Sequence, residues 1–248
     1  MAYSQHNEEE IIDKYLGNVV NGTYVDIGAG HAKIRSNTYG LYLKGWTGLT
    51  IDPCSNVSLS GTEKDNDKKY DIEFSSHEVK SITRQEIAQL PGDEYILLMD
   101  ADYPDDINTH AKYRPNDIHL TLAVTNYDGE IDMCFTASVG SWLGNNYVAG
   151  GAPLGDKYPI KKEKCLTVNT LISQYSQFAA ADFFSLDVET NEDKVLECCD
   201  FKKFTPTLMI IENEVRGKDL RSNWIHFIDP YYDLVETIPG NLVFLRKS

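Results

Sequence analysis

The residues best suited to chemistry fall in two short runs. The first is Val25-Asp26-Ile27-Gly28-Ala29-Gly30, followed by His31 and, farther along, by an acid at Asp52. Glycines at the end of a strand let the backbone come close to a nucleoside, and the helix that follows offers free N–H donors. Asp26 ahead of the glycines and Asp52 at the tip of the next strand suit ribose hydroxyls. The dinucleotide fingerprint asks for a third glycine where this chain has Ala32 or Lys33, which disfavours a pyrophosphate ligand. Acids on both strand tips instead favour a cofactor with no phosphate and a cationic centre, a description that fits S-adenosylmethionine. The second run is Asp187-Val188-Glu189, which follows an apolar strand. Alternation aims its two carboxylates to one side of the chain, at the sheet edge where open α/β folds bind ligands. Methyl transfer is an in-line displacement, so the protein has to position the acceptor and remove its proton. Asp187, Glu189 and His31 are the candidate bases.

These residues need a scaffold, and the pattern around them supplies one. Asn7 to Leu16 reads as an amphipathic helix with Asn7 as its cap, Thr23–Ile27 as a strand, Ser36–Lys44 as a helix ending at Gly45, and Gly48–Asp52 as a second strand stopped by Pro53. Strand, glycine turn, helix and acid-tipped strand make the opening unit of a doubly wound sheet. Residues from Cys54 to about Asp106 break the alternation. Some fifty residues exceed an ordinary connection, so this is an insertion: a polar, mobile loop over Gly61–Tyr70, a weak helix over Thr83–Leu90 and a strand at Tyr95–Met99. The expected continuation is strands at His119–Thr125 and Glu130–Phe135, a glycine-rich loop over Val139–Gly155, and a helix at Val168–Tyr175. Then come a strand at Phe183–Leu186, a helix at Glu192–Cys199, a strand at Leu208–Ile211, and an antiparallel hairpin from Asp233–Thr237 and Leu242–Leu245. The expected architecture is one α/β domain over residues 1–248, a doubly wound, mostly parallel seven-stranded sheet with a C-terminal antiparallel hairpin and an insertion after the second strand.

Composition narrows the function. With 38 acidic and 23 basic side chains the net charge is −15, which opposes docking on nucleic acid or anionic membrane. The five cysteines show no CxxC or Cys/His ligand spacing, so no metal ligand set is assigned. Magnesium is compatible with the acids near the sheet edge (Glu212 and Glu214 among them) without being required. Absence of a leader-like or 18-residue apolar stretch leads to the expectation of a cytoplasmic protein. The pattern names no oligomeric state.

Several segments together resemble the FkbM-type S-adenosylmethionine-dependent methyltransferases. They are Tyr3-Ser4-Gln5, Gly22 through Ala29, Ser36-Asn37-Thr38, the run Lys44-Gly-Trp-Thr-Gly-Leu-Thr-Ile-Asp-Pro53, Ala123-Val124 with Asp128-Gly129, Leu186 through Glu189, and Gly240 through Phe244. The resemblance implies a class I methyltransferase fold whose last strand is antiparallel, and O-methylation of a small-molecule or glycan hydroxyl. It adds Gln5, Ser36 and Asn37 to the expected cofactor contacts Asp26, Gly28, Ala29, Gly30 and Asp52. The chain departs from the family pattern at Gly30-His31-Ala32, at Thr190 in place of a glycine, and in the length of its insertion. Three rivals stand beside this reading: a non-catalytic S-adenosylmethionine-binding protein, an RNA cap 2′-O-methyltransferase, and an NAD-dependent dehydrogenase. The acidic balance counts against the second. The missing third glycine counts against the last.

Overall fold

Short runs rich in Val, Ile, Leu and Phe form the strands of the main sheet, because a strand covered on both faces has no use for polar alternation. The computed structural model describes residues 3–4, 6–30, 32–33, 35–53, 69–74, 79–83, 95–97, 109–135, 140–142, 148–149, 152–153, 160–188, 191–215 and 218–247. Within these, seven strands make one sheet: β1 (Thr23–Ile27), β2 (Thr47–Ile51), β3 (Ile118–Leu120), β4 (Phe183–Leu186), β5 (Leu208–Glu212), β6 (Tyr232–Ile238) and β7 (Asn241–Arg246). Their order is β3-β2-β1-β4-β5-β7-β6. The five strands from β3 to β5 pair in parallel, while β7 runs antiparallel to both β5 and β6. The chain reverses direction of travel across the sheet between β1 and β4, which makes a crevice at their carboxyl ends.

Period-two alternation sends each strand's side chains to two different cores. Val25, Ile27, Leu49, Ile51, Phe184, Leu186, Met209 and Ile211 meet three helices, α4 (Val168–Gln174), α5 (Glu192–Glu197) and α6 (Arg221–Ile228), through Leu171, Val195, Leu196, Trp224 and Ile228. On the other face Tyr24, Phe183, Leu208, Ile210 and Val243 pack with Ile11, Ile12 and Leu16 of α1 (Glu8–Leu16), Leu41 of α2 (Tyr39–Leu43) and Trp46. Burying each such side chain contributes about 1.5–3 kcal/mol. Across β4, β1, β2 and β3 one register row is polar: Ser185, Asp26, Thr50 and His119 lie side by side. The hairpin of β6 and β7 is tied down at both ends. Asn241 donates to Oε1 of the buried Glu8 at 3.0 Å, and the Tyr232 hydroxyl donates to the carbonyl of Pro206 at 3.0 Å.

Several expectations need correction. Asn7 stands at the start of α1 but makes no side-chain capping bond. Glu8 and Glu9 instead fold back to accept the amides of His6 and Tyr3. The helix expected over Ser36–Lys44 is confined to α2, because Ser36 spends its hydroxyl on the amides of Thr38 and Tyr39 in a turn. The run His119–Thr125 is not one strand. It leaves the main sheet after Leu120 and re-enters as Ala123–Val124 in a second, four-stranded sheet with Ile160–Leu166, Gly129–Phe135 and Gly140–Trp142. The expected glycine-rich loop therefore contains strand at Gly140–Trp142, Val148–Ala149 and Ala152–Pro153. In the insertion, Lys69–Phe74 pairs with Val79–Thr83 and Tyr95–Leu97 as a three-stranded antiparallel sheet. Lys69, Tyr70 and Thr83 are thus strand residues, and the remainder of the expected loop and helix lies outside the described residues. The way back to β3 includes a helix, α3 (Thr109–Tyr113). Helix α6 has a sequence signal, Trp224 and Ile228 four apart and both buried, that the reading above passes over. Among the described residues no helix is long and apolar enough to cross a membrane.

A direct check of the β1–β2 packing is Gly48→Ala. The new methyl carbon would fall 1.8 Å from Cε2 of Tyr24, so the buried ring must move. We expect a loss of about 1–3 kcal/mol in urea unfolding, the usual range for overpacking. An unchanged midpoint would mean that Tyr24 yields at no cost.

Candidate functional site

The glycine turn follows β1 directly and is held from two sides. The amides of Gly28 and Ala29 both donate to the carbonyl of Ile51, at 2.9 and 3.1 Å, and the amide of Gly30 donates to Oδ2 of Asp52 at 2.9 Å. Asp52 itself is buried and anchored by its amide to Leu120. Gly28 has φ +82°. A Cβ there would sit 1.5 Å from the carbonyl oxygen of Asp187, so only glycine lets the ends of β1 and β4 approach. Gly30, at φ +51°, has no described atom within 4 Å of the place its Cβ would take. The turn therefore packs tightly at its first glycine and meets no described atom at its second.

Beneath the turn lies a polar layer. Asp26 is only 3% exposed. Its carboxylate accepts from the Thr38 hydroxyl at 2.5 Å, and Ser185, which itself accepts from Asn37 at 3.1 Å, bonds it from the other side. Burial pushes the Asp26 carboxyl up, while Arg114, Thr38 and Ser185 pull it back down. Arg114 was absent from the sequence expectations and is the centre of this layer. Its five N–H groups have five acceptors: Oδ2 of Asp117 at 2.8 Å, the carbonyl of Ala32 and Oγ of Ser36 at 3.3 Å each, the Tyr24 hydroxyl at 2.9 Å and the Thr38 hydroxyl at 2.7 Å. The Tyr24 hydroxyl in turn donates a hydrogen bond to Oδ2 of Asp117 at 2.5 Å, and Asp117 also accepts the Gly48 amide. Asp26, Ser36 and Asn37 thus bond within this layer and to the entry of α2.

A second link comes through a stacked imidazole pair. His110 and His119 lie with ring centroids 3.8 Å apart and 11° between planes. The Gly30 carbonyl can only accept, so Nε2 of His110, 3.0 Å away, donates to it. In the neutral ring Nδ1 of His110 is then an acceptor for the Thr50 hydroxyl at 3.3 Å, and Nδ1 of His119 donates to Thr50 Oγ1 at 2.8 Å. One hydroxyl proton thereby fixes both tautomers.

Asp187 continues β4, its amide donating to the Ile27 carbonyl at 3.0 Å. Its carboxylate joins Glu192, at the start of α5, and Glu212, at the end of β5, in a group whose offered oxygens all lie within 4.8 Å of one another. Glu192 also accepts the Val188 amide at 3.0 Å. Like charges at that spacing repel, so the group attracts a proton or a cation, and an all-carboxylate donor set suits a hard ion such as magnesium. Of the expected residues the fold brings Gly28, Ala29, Gly30 and Asp52 together, places Asp187 against them, and sets Asp26, Ser36 and Asn37 under them. Gln5, His31 and Glu189 lie outside the described residues. For Glu214 only the strand, Glu214–Val215, is described.

Burial, and after it the charge of Arg114, push the His119 imidazole down to about 4. An unfolded histidine titrates near 6.5, so below that value the unfolded chain binds a proton that the folded chain refuses. The sign follows: stability holds above pH about 6.5 and falls as pH drops toward about 4. Denaturation at a series of pH values should show this loss, and His119→Gln should flatten it. The same slope in the variant would assign the effect to another group.

No protein-family model, no curated protein and no solved structure matches this chain. The geometry of the site is what bears on its function.

Proposed function

We propose that the chain is a class I methyltransferase that binds S-adenosylmethionine at the β1–β2 end of the sheet and methylates a hydroxyl of a small molecule or glycan. The observation that carries this reading is the turn at Gly28–Gly30. It is clamped by Ile51 and Asp52 and has no described atom packed over Gly30, with an acid fixed beside it. The strand order supports the reading as well. A dinucleotide-binding sheet runs 3-2-1-4-5-6, whereas here an antiparallel seventh strand is inserted between the fifth and the sixth, as the resemblance implies. The donors fit an adenosyl ligand: a carboxylate for the ribose hydroxyls and glycine backbone beside the nucleoside, with no set of amides arranged around a pyrophosphate among the described residues.

When bound, S-adenosylmethionine supplies a methyl group on a cationic sulfur. Asp52, oriented by the Gly30 amide, holds the ribose. Gly28 lets the backbone of the ligand turn pass close to β4, and this brings Asp187 beside the pocket. Asp187, backed by Glu192 and Glu212, takes the proton of the acceptor hydroxyl. The acids at this edge also set a negative field that favours a neutral or cationic acceptor over a phosphorylated one. A magnesium ion held by Asp187, Glu192 and Glu212 would polarise the acceptor hydroxyl; we treat it as accessory to the reaction rather than obligatory.

Titration calorimetry tests the ligand class. We expect S-adenosylhomocysteine to bind more tightly than NAD, and NAD binding more tightly would overturn the reading in favour of a dehydrogenase. Asp52→Ala removes hydrogen bonds from a charged partner and should weaken S-adenosylhomocysteine by about 10- to 150-fold. Asp187→Ala should keep that affinity within a few fold while methyl transfer to an identified acceptor is lost. Tight binding of the cofactor with no transfer to any hydroxyl acceptor would point to the non-catalytic alternative.

A further inference from the structure

The ligand turn does not determine its own shape. Gly28, Gly30 and Arg35 all have positive φ, at 82°, 51° and 55°. Such positions are either conformationally free, as glycine is, or strained, as a longer side chain is. A loop of this kind keeps one shape only when groups outside it hold it. Its amides are held by the end of β2. Its carbonyls and hydroxyls are held from elsewhere, by two side chains four residues apart at α3. His110 donates to the carbonyl of Gly30, and Arg114 donates to the carbonyl of Ala32, to Ser36 Oγ and to Thr38 Oγ1.

We propose that Arg114, together with His110, is a positioning residue of the ligand site, holding Gly30, Ala32, Ser36 and Thr38 in the arrangement that receives the adenosyl ligand. This rests on the function proposed above. The segment that returns from the insertion to β3 is therefore part of the cofactor site. Two features single out arginine. Its five donors match five acceptors, whereas lysine has three donors and cannot occupy them all. Its planar fork also reaches four different stretches at once: β1 through Tyr24, the turn through Ala32, the entry to α2 through Ser36 and Thr38, and the entry to β3 through Asp117. A purely structural role would require only that the pair with Asp117 be kept. The bonds to Ala32, Ser36 and Thr38 go beyond that, since all three acceptors belong to the loop that leads from the glycines to α2.

The test separates stability from positioning. Arg114→Lys and His110→Ala are compared with the unaltered chain in thermal unfolding, in calorimetric titration with S-adenosylhomocysteine well below each melting temperature, and in amide exchange at Gly28, Ala29 and Gly30. We expect Arg114→Lys to bind about 10- to 100-fold more weakly and to exchange these three amides faster, with His110→Ala a smaller effect of the same sign. His110→Gln, which keeps a donor for the Gly30 carbonyl, should recover most of the affinity. Unaltered affinity and exchange in folded Arg114→Lys would overturn the proposal, even if its melting temperature falls. If that variant does not fold, His110→Ala decides: unchanged affinity and exchange there overturn it. Failure of the unaltered chain to bind S-adenosylhomocysteine would overturn the function first and, with it, this ligand for the loop. The exchange data would then still report whether Arg114 holds the turn.

Discussion

The carboxyl end of the parallel strands depends on one buried ion pair. Arg114 and Asp117 meet at 2.8 Å with side chains that expose nothing to solvent. Taking two charges out of water is costly, and such a pair breaks even only when every remaining donor and acceptor is matched. Here the matching is complete on the arginine: five N–H groups, five acceptors. The hydroxyls among those acceptors are not left competing for protons. Tyr24 accepts from Arg114 and donates to Asp117, and Thr38 accepts from Arg114 and donates to Asp26. Proton direction is thus set throughout the layer, from the guanidinium outward to two carboxylates. Removing one member would leave the others buried and unmatched, at a cost of about 3–5 kcal/mol for a broken buried pair.

This interaction explains why a long interruption between β2 and β3 is compatible with a parallel sheet. Closing a long loop adds little entropy per residue, but the returning chain must still find its register. Asp117, directly before β3, does this by accepting the Gly48 amide in β2 and the Tyr24 hydroxyl in β1. The edge strand is short, Ile118–Leu120, and its pairing is reinforced by His119 on Thr50 and by the Asp52 amide on Leu120. The chain is free to carry any insertion upstream of α3 so long as His110, Arg114 and Asp117 return to these partners.

Much of this was legible in the sequence, and the reason differs from element to element. The strands β1, β2, β4 and β5 stand out because each is a short run of mainly apolar and β-branched residues between turn residues, and the hairpin of β6 and β7 because Pro239-Gly240 marks its turn. The glycine turn was legible because its constraint is local: Gly28 must be glycine on account of its own φ and its neighbour at Asp187. Arg114 was not, since its bond to Tyr24 spans 90 positions and that to Ser36 spans 78, and a lone arginine before a proline carries no periodic signal. The place of Asp26 beside the glycines gives it the sequence signature of a ligand group. Yet alternation with Tyr24 puts it on the α1–α2 face of the sheet, below the turn, where Thr38 covers it. The second sheet escaped for a different cause. Val124 and Leu166 belong to the main core while Ile131 and Met133 form a small core of their own, so the run His119–Thr125 serves two sheets and its pattern is the sum of both.

The polar row under the turn has a consequence for recognition. In most sheets the layer just inside the carboxyl edge is apolar and its side chains hold position by packing alone. Here Ser185, Asp26, Thr50 and His119 occupy one register row across four strands, and three of them are bonded to groups of the turn or its flanks: Ser185 to Asn37, Asp26 to Thr38, and Thr50 to His110, which reaches Gly30. Hydrogen bonds are directional where dispersion is not, so this row fixes the angle of the turn as well as its distance from the sheet. On the function proposed above, a ligand at Gly30 would meet a backbone already ordered, and ordering a flexible loop is one of the main costs that lower affinity in association. The neutral state of His119 serves the same end. A proton on its ring would place a second cation near Arg114 in a buried layer, and both burial and that arginine oppose it. The layer is therefore stable in one protonation pattern, and it is that pattern that keeps the carbonyl of Gly30 turned down toward His110 and its amide turned toward Asp52.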